Sequence, residues 1–376
     1  MNSVVISGSG LWTPEEIITN EELVSAYNAH ATLFNECHAA EIEAGSLPEK
    51  PPSTAEFIEK ASGIKQRYVY CKEGILDPNR MRPLLPVRDD DELSHQAEMA
   101  VNAARLAMSA ANKDAADIDM VVVSCAYTQR AYPAIAIEVQ QALGIEGFGF
   151  DMLVACSAAT FALHRAHDAV AAGSAGCVLV INPELTTPQI NFTDRDSHFI
   201  FGDVSTAMII ERADTCTATH SYEILGTRAV TQYSNNIRSN FGYLSYADDS
   251  DPYADEKLFH QNGRKVFKEV CPMAVAHLIS QVEKVGLAVT DVKRWWLHQA
   301  NINMNNMISR RLLGRDPEPG EAPIVLDEFA NTASAGSIIA FNRHHQDLEP
   351  GDIGVICSFG AGYSIGSLVV KKRSLS

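Results

Sequence analysis

Two stretches of this chain, about 175 residues apart, run through the same order of elements, and this repetition limits the fold more than any other feature. A helix ending near Ala111 leads through Asp117-Ile118-Asp119 into the apolar run Met120–Cys125. A second helix, ending near Val285, leads through Asp291-Val292-Lys293 into Arg294–His298. Roughly thirty residues beyond each run comes a matching junction, Ala155-Cys156-Ser157-Ala158 and then Ala330-Asn331-Thr332-Ala333. Each junction opens a helix, and each helix is followed by a glycine and a buried strand, Gly176–Ile181 and Gly351–Cys357. Alternating strands and helices call for an α/β fold. The repetition makes it a pair of duplicated α/β halves, residues 1–212 and 213–376, with Cys156 and Asn331 at equivalent places. A pseudo-twofold axis would aim both helix starts into one cleft, which is a geometric reason for distant residues to meet.

The chemistry sits at those junctions. Phe148–Ala155 reads as a buried strand and Ser157–Ala172 as an alanine-rich helix, so Cys156 stands at a helix N-terminus. Free N–H groups and the helix dipole there favour a thiolate. His298 follows in Trp296-Leu297-His298-Gln299-Ala300-Asn301 and Asn331 in Phe329-Ala330-Asn331-Thr332-Ala333-Ser334-Ala335. A thiolate exchanges readily with thioesters, and a histidine can act as base or as a neutral donor. An asparagine moves no protons, but its NH2 can hold an enolate or oxyanion. His298 and Asn331 together suit the carbanion left when a malonyl thioester loses carbon dioxide. The turn Ser358–Gly366 is rich in small residues and can bring backbone N–H groups close to a reacting carbonyl.

Composition narrows the setting. A net charge of −17 argues against nucleic-acid and anionic-membrane partners. No apolar run reaches the ~20 residues of a membrane span. Met1–Gly8 reads directly as a first strand rather than a secretory leader, so a cytoplasmic enzyme without membrane insertion is expected. The eight cysteines form no C-x-x-C pair, which speaks against a metal site and a disulfide framework; Cys125, Cys177 and Cys357 lie inside strand-like runs. Two proline-containing excursions, residues 28–55 and 70–93, break the α/β pattern and could cap a pocket or touch a partner. Tyr246–Pro252 has the chemistry of an exposed turn.

With those residues in place, the chain resembles the β-ketoacyl-[acyl carrier protein] synthase III family of the thiolase-like superfamily. The motifs are His298–Asn301, Asn331–Ser334, Asp194-Arg195 followed by Phe201-Gly202-Asp203, and the glycine-rich C-terminal turn. The resemblance implies a thiolase-like fold with α-β-α-β-α layering. It implies that an acyl-CoA primer loads onto Cys156 and is condensed with malonyl-acyl carrier protein, with acyl-CoA as substrate and no cofactor. His298 and Asn331 would hold the malonyl thioester, and the N–H groups of Cys156 and Ala361 the oxyanion. Tyr132 falls at the acyl-pocket gate supplied across a homodimer interface, for which Cys177–Ile181 is a candidate pairing edge unless it is a buried central strand. Phe57 and Ala61 stand where the family has a tryptophan and an arginine that clamp the CoA adenine, and Arg195 matches an arginine on the adenine's other side. Cys156-Ser157-Ala158-Ala159 replaces the family's Cys-Ala-Gly-Phe, which points to a primer longer than acetyl. Lys268, with Arg264 and Lys265, would dock the acidic carrier protein. The principal alternative is an acyltransferase of the same fold that passes the acyl group to a hydroxyl or amine. A papain-like hydrolase and a non-catalytic carrier-binding subunit fit the residues less well.

Overall fold

The computed structural model describes residues 3–251 and 254–374; Met1 and Asn2 of the expected first strand, and Pro252 of the expected turn, lie outside them. The first stretch of chain supplies β1 (Val4–Trp12), β2 (Glu16–Thr19), β3 (Gln66–Val69), β4 (Met120–Cys125), β5 (Phe148–Leu153), β6 (Cys177–Glu184) and β7 (Val204–Arg212). Its helices are α1 (Asn20–Cys37), α2 (Ala39–Glu43), α3 (Ala55–Ser62), α4 (His95–Ala111), α5 (Ile135–Leu143) and α6 (Ala158–Ala172). The second stretch supplies β8 (Tyr222–Ser234), β9 (Ile237–Arg238), β10 (His260–Gln261), β11 (Val292–Leu297), β12 (Ile353–Gly360) and β13 (Gly362–Lys372). Its helices are α7 (Tyr243–Ala247), α8 (Gly263–Lys284), α9 (Ile302–Leu313), α10 (Leu326–Phe329) and α11 (Gly336–Arg343).

Nine strands form one sheet in the order β11-β12-β13-β8-β1-β7-β6-β4-β5. Only two residue pairs, Val5 with Glu223 and Ile6 with Tyr222, join β1 to β8, so the sheet divides there into two blades. Inner-face residues of both blades pack around α6 and α11 in a common core that includes Val180, Met208, Trp296 and Val370. The alanines at 159, 162 and 166 bury one face of α6 completely and let the blades approach it closely. Outside the first blade lie α4 and α5, and outside the second α8 and α9, each over its own apolar cluster. The layering is therefore α-β-α-β-α, as expected.

The registers fix which residues correspond. Met120 pairs with Val178 and Val178 with Ile210; Arg294 pairs with Gly354 and Gly354 with Val370. Six residues further along β6 and β12 stand Glu184 and Gly360, which are thus counterparts. Before α6 the chain passes Val154 (φ −138°, ψ 36°) and the left-handed Ala155 (φ 44°); before α11 it passes Thr332 (φ −103°, ψ 37°) and the left-handed Ala333 (φ 47°). The counterpart of Cys156 is therefore Ser334. Asn331 lies three residues earlier, which corrects the equivalence expected from sequence.

One strand reading also changes, and one left open is decided. Phe148–Leu153 is a strand, but it is the sheet's edge and not buried: Phe148, Phe150 and Leu153 are 49%, 38% and 54% exposed. Cys177–Ile181 is not an edge, since β6 lies between β4 and β7 and is buried throughout. The apolar composition of the two runs is similar, and composition alone does not tell an edge that awaits a partner from a strand that already has two.

Candidate active site

Cys156 sits in a short 3-10 turn, Ala155–Ser157, that feeds directly into α6. The backbone N–H groups of Cys156 and Ala361, the two groups expected to form an oxyanion hole, both favour negative charge on its Sγ. Ala361 is not among the residues with positive φ, so the turn tolerates alanine there. The neighbouring Gly360 is essential in another way: a Cβ on it would lie 2.5 Å from Cys156 Cβ and 3.0 Å from Sγ. Sequence reasoning noted the glycine-rich turn but not this position, and only the approach of β12 to the nucleophile reveals it.

The expected thiolate is not the resting form. Burial, reinforced by the Glu184 carboxylate, pushes the Cys156 thiol up to about 12, and the two N–H donors only partly oppose this. Cys156 therefore rests as a thiol.

His298 follows β11, with its N–H donating to the Cys357 carbonyl at 2.8 Å. The ring is 2% exposed and meets Phe359 edge-on with centroids 5.2 Å apart. Burial lowers its pKa to about 4, so it is neutral at physiological pH and better suited to donate a hydrogen bond than to collect a proton. The rest of the motif is structural. Gln299 donates to the carbonyls of Leu297 and Pro323, and Asn301 caps α9 while its Nδ2 donates to the Ala61 carbonyl at 2.8 Å.

Asn331 bridges to the segment before β7: its N–H donates to the Ile200 carbonyl at 2.9 Å and its carbonyl accepts from Gly202 N–H at 3.1 Å. That segment is anchored by Asp203, whose buried carboxylate accepts from the N–H groups of Tyr70, Thr186 and Thr187. The side-chain Oδ1 of Asn331 accepts from Ala333 N–H at 3.0 Å.

Cys156, His298 and Asn331 line one cavity of about 580 Å³. Phe57, Arg264 and Lys268 line it as well, with the two cations exposed on the first turns of α8; Lys265 is exposed beside them. Arg195 stacks over the Phe57 ring at 3.9 Å, and its Nε donates to the Pro52 carbonyl at 2.8 Å. The 28–55 excursion is thus tied to the 191–198 segment, also through Lys50 Nζ and the Thr193 carbonyl at 2.8 Å, and it buttresses the Arg195–Phe57 pair. The 70–93 excursion packs on α4 through Arg88, Tyr70 and Glu98. Tyr132 is 77% exposed and stands apart from the cavity in the single chain. Ala159 is buried in the central core, so the small residues after Cys156 are taken up by packing and leave no space of their own. Among the described residues no group of histidines, cysteines and carboxylates could hold a metal ion, and no helix is long and apolar enough to cross a membrane.

Known proteins place this geometry in a family. Residues 150–231 match 3-oxoacyl-[acyl-carrier-protein (ACP)] synthase III and residues 282–372 match its C-terminal part. The chain is 56% identical to the β-ketodecanoyl-[acyl-carrier-protein] synthase of Pseudomonas aeruginosa PAO1, over 93% of this chain and 100% of that one. It is 28% identical to the β-ketoacyl-[acyl-carrier-protein] synthase III of Ehrlichia canis, over 99% and 100%. The priming β-ketosynthase of the R1128 polyketide pathway superimposes with a TM-score of 0.78 at 24% identity, covering 99% of this chain and 97% of that one. The 3-oxoacyl-(acyl carrier protein) synthase III of Pseudomonas aeruginosa PAO1 gives 0.75 at 19% identity, covering 100% and 99%. The chain belongs to the 3-oxoacyl-[acyl-carrier-protein] synthase III family.

Proposed function

We propose that this condensing enzyme joins a medium-chain acyl thioester, with eight carbons as the favoured length, to malonyl-acyl carrier protein through an acyl-Cys156 intermediate. The observation that carries the residue roles is the meeting of Cys156, His298 and Asn331 in one cavity. The primer length rests on the 56% identical relative, whose named product has ten carbons, two of which a malonyl unit would contribute.

In the first half-reaction Cys156 Sγ attacks the acyl carbonyl. The new C–S bond replaces the bond to the donor thiol, which leaves with the Cys156 proton. In the second, the malonyl C–CO2 bond breaks and its electron pair enters the thioester as an enolate, held by neutral His298 and the Asn331 NH2. The enolate carbon attacks the acyl carbonyl, whose oxyanion is held by the N–H groups of Cys156 and Ala361, and the sulfur departs as a thiolate that takes a proton from solvent to restore the resting thiol. Every electron pair stays in the reacting thioesters, so no cofactor is needed. The acyltransferase alternative leaves the decarboxylating pair His298 and Asn331 without a task.

The active form is a homodimer in which β5 of two protomers pair. An exposed edge strand with three half-exposed apolar side chains is otherwise an aggregation hazard. The same face carries exposed Tyr132, which then enters the partner's acyl pocket. Arg264, Lys265 and Lys268 dock the acidic carrier at the cavity rim. Phe57 and Arg195 part to take the CoA adenine. The cytoplasm is the fitting compartment for a chain whose eight cysteines are all free.

Steady-state condensation with acyl-CoA primers from acetyl to dodecanoyl tests the primer. Octanoyl-CoA should give the highest kcat/KM, by about tenfold or more over acetyl-CoA, since each buried CH2 contributes ~0.8 kcal/mol. A preference for acetyl-CoA would refute the assignment.

A further inference from the structure

Glu184 is a carboxylate buried to 1% exposure at the end of β6, in the place where the other blade has Gly360. Its Oε1 accepts from Ser334 N–H at 3.1 Å and from the Ser334 hydroxyl; its Oε2 accepts from Ala126 N–H at 3.1 Å. Burying such a group is unfavourable by several kcal/mol unless donors surround it, and here three do. The donors belong to two loops, the one leaving β4 and the one carrying Asn331, which Glu184 thereby joins.

The second connection reaches the chemistry. Ser334 follows the left-handed Ala333, and Ala333 N–H is the donor that Asn331 Oδ1 accepts. An alanine at positive φ is strained and stays there only when its neighbours hold it. With Oδ1 occupied, the NH2 is the end of the Asn331 amide left for the cavity.

We propose that Glu184 is a positioning residue for condensation: by clamping Ser334 it holds the Ala333 turn, which keeps the Asn331 NH2 turned toward the malonyl thioester. The inference rests on the reading that Asn331 stabilises the enolate. Glu184, itself raised by burial to about 7, has a second, opposite effect on the same site: where ionised, it adds to the burial that pushes the Cys156 thiol up. It therefore assists the enolate while restraining the nucleophile.

Glu184→Gln keeps the volume but turns an NH2 toward one of the three donors. The test separates the half-reactions. Acyl-Cys156 is preformed with octanoyl-CoA, then chased with malonyl-acyl carrier protein, and Cys156 alkylation by iodoacetamide is timed at pH 8 on the unacylated enzyme. In Glu184→Gln, condensation from the acyl-enzyme should fall about tenfold or more while loading stays within about threefold and alkylation becomes faster. Ser334→Ala, which loses only the hydroxyl, should slow condensation in the same direction and less. Wild-type condensation rates in either variant would overturn the inference. So would a proportionate fall of loading and condensation without faster alkylation, since that is the mark of a merely structural residue. A wild-type acyl-enzyme that does not condense would instead remove the functional reading, and this inference with it.

Discussion

The two helix junctions at the centre of the molecule share a backbone and differ in what faces them. At Cys156 the opposing strand ends in Gly360, whose missing side chain leaves the sulfur open to the cavity. At Ser334 the opposing strand ends in Glu184, whose carboxylate fills the same position and binds the hydroxyl and N–H. Both junctions begin with a left-handed alanine, Ala155 and Ala333. One copy of the duplicated motif thus presents an open thiol to the cavity, and the other is filled by a carboxylate. The comparison teaches that the reaction depends as much on the residue opposite each helix start as on the helix start itself.

The comparison breaks most severely at Gly360. Gly360→Val should remove acyl loading by at least about a hundredfold, because the added Cβ falls within 3 Å of Cys156 Cβ and something in a packed site must shift. Intact-mass measurement of the octanoyl adduct reads this directly, and loading at the wild-type rate would mean that β12 yields freely. Asn331→Ala tests the other junction. Loading should survive, while condensation slows by ~100-fold, as when one donor to an oxyanion is lost.

Ser334→Cys places a thiol in the filled copy and sharpens the contrast. The new thiol should resist iodoacetamide while Cys156 reacts, because Ser334 is fully buried and sits against a carboxylate. Two alkylated sites appearing at similar rates would show the junctions to be equally open.

A smaller effect concerns stability. His198, His277, His298 and His345 are buried, and burial lowers each to about 4. At these four rings, between about pH 6.5 and 4, the unfolded chain binds protons that the folded chain does not, so their part of the stability falls as pH falls through that window, while Glu184, raised to about 7, works the other way. Urea titrations at pH 7.5 and 5 should give a lower midpoint on acidification, with the free energy of unfolding reduced by up to roughly 1–2 kcal/mol for each histidine. An unchanged midpoint would mean that the four rings are more hydrated than their packing indicates.

Much of this was legible in the chain. The α/β alternation and the duplicated order follow from periodicity and from matched Asp-x-x-strand and Gly-strand signals, and the layering from the family resemblance. Cys156, His298 and Asn331 stand out because each combines a reactive side chain with an element boundary. What the sequence hid is instructive in each case. The equivalence slipped by three residues because the repeated Ala-x-x-Ala spacing aligns Asn331 with Cys156, whereas the left-handed φ that defines the turn is at Ala333. The sequence leaves the edge strand undecided at Cys177–Ile181 and reads Phe148–Leu153 as buried, because both are short strand-like runs and only pairing tells which one has an open side. The thiolate expected from the helix start is outweighed by burial of Cys156, to which the Glu184 charge adds, and neither effect is visible in the residues around position 156. Glu184 itself carries no signal in Asn182-Pro183-Glu184, because its partners Ser334 and Ala126 lie on other elements.

The central claim is that a thiol at one junction accepts the acyl group and an amide beside the other drives its condensation. Intact mass after octanoyl-CoA, followed by a malonyl-acyl carrier protein chase, tests it most directly in wild type and in Cys156→Ala. The account predicts one octanoyl adduct in the wild type, none in Cys156→Ala, and discharge of the adduct as 3-ketodecanoyl carrier protein on the chase. An adduct that forms without Cys156, or one that survives the chase, would contradict it.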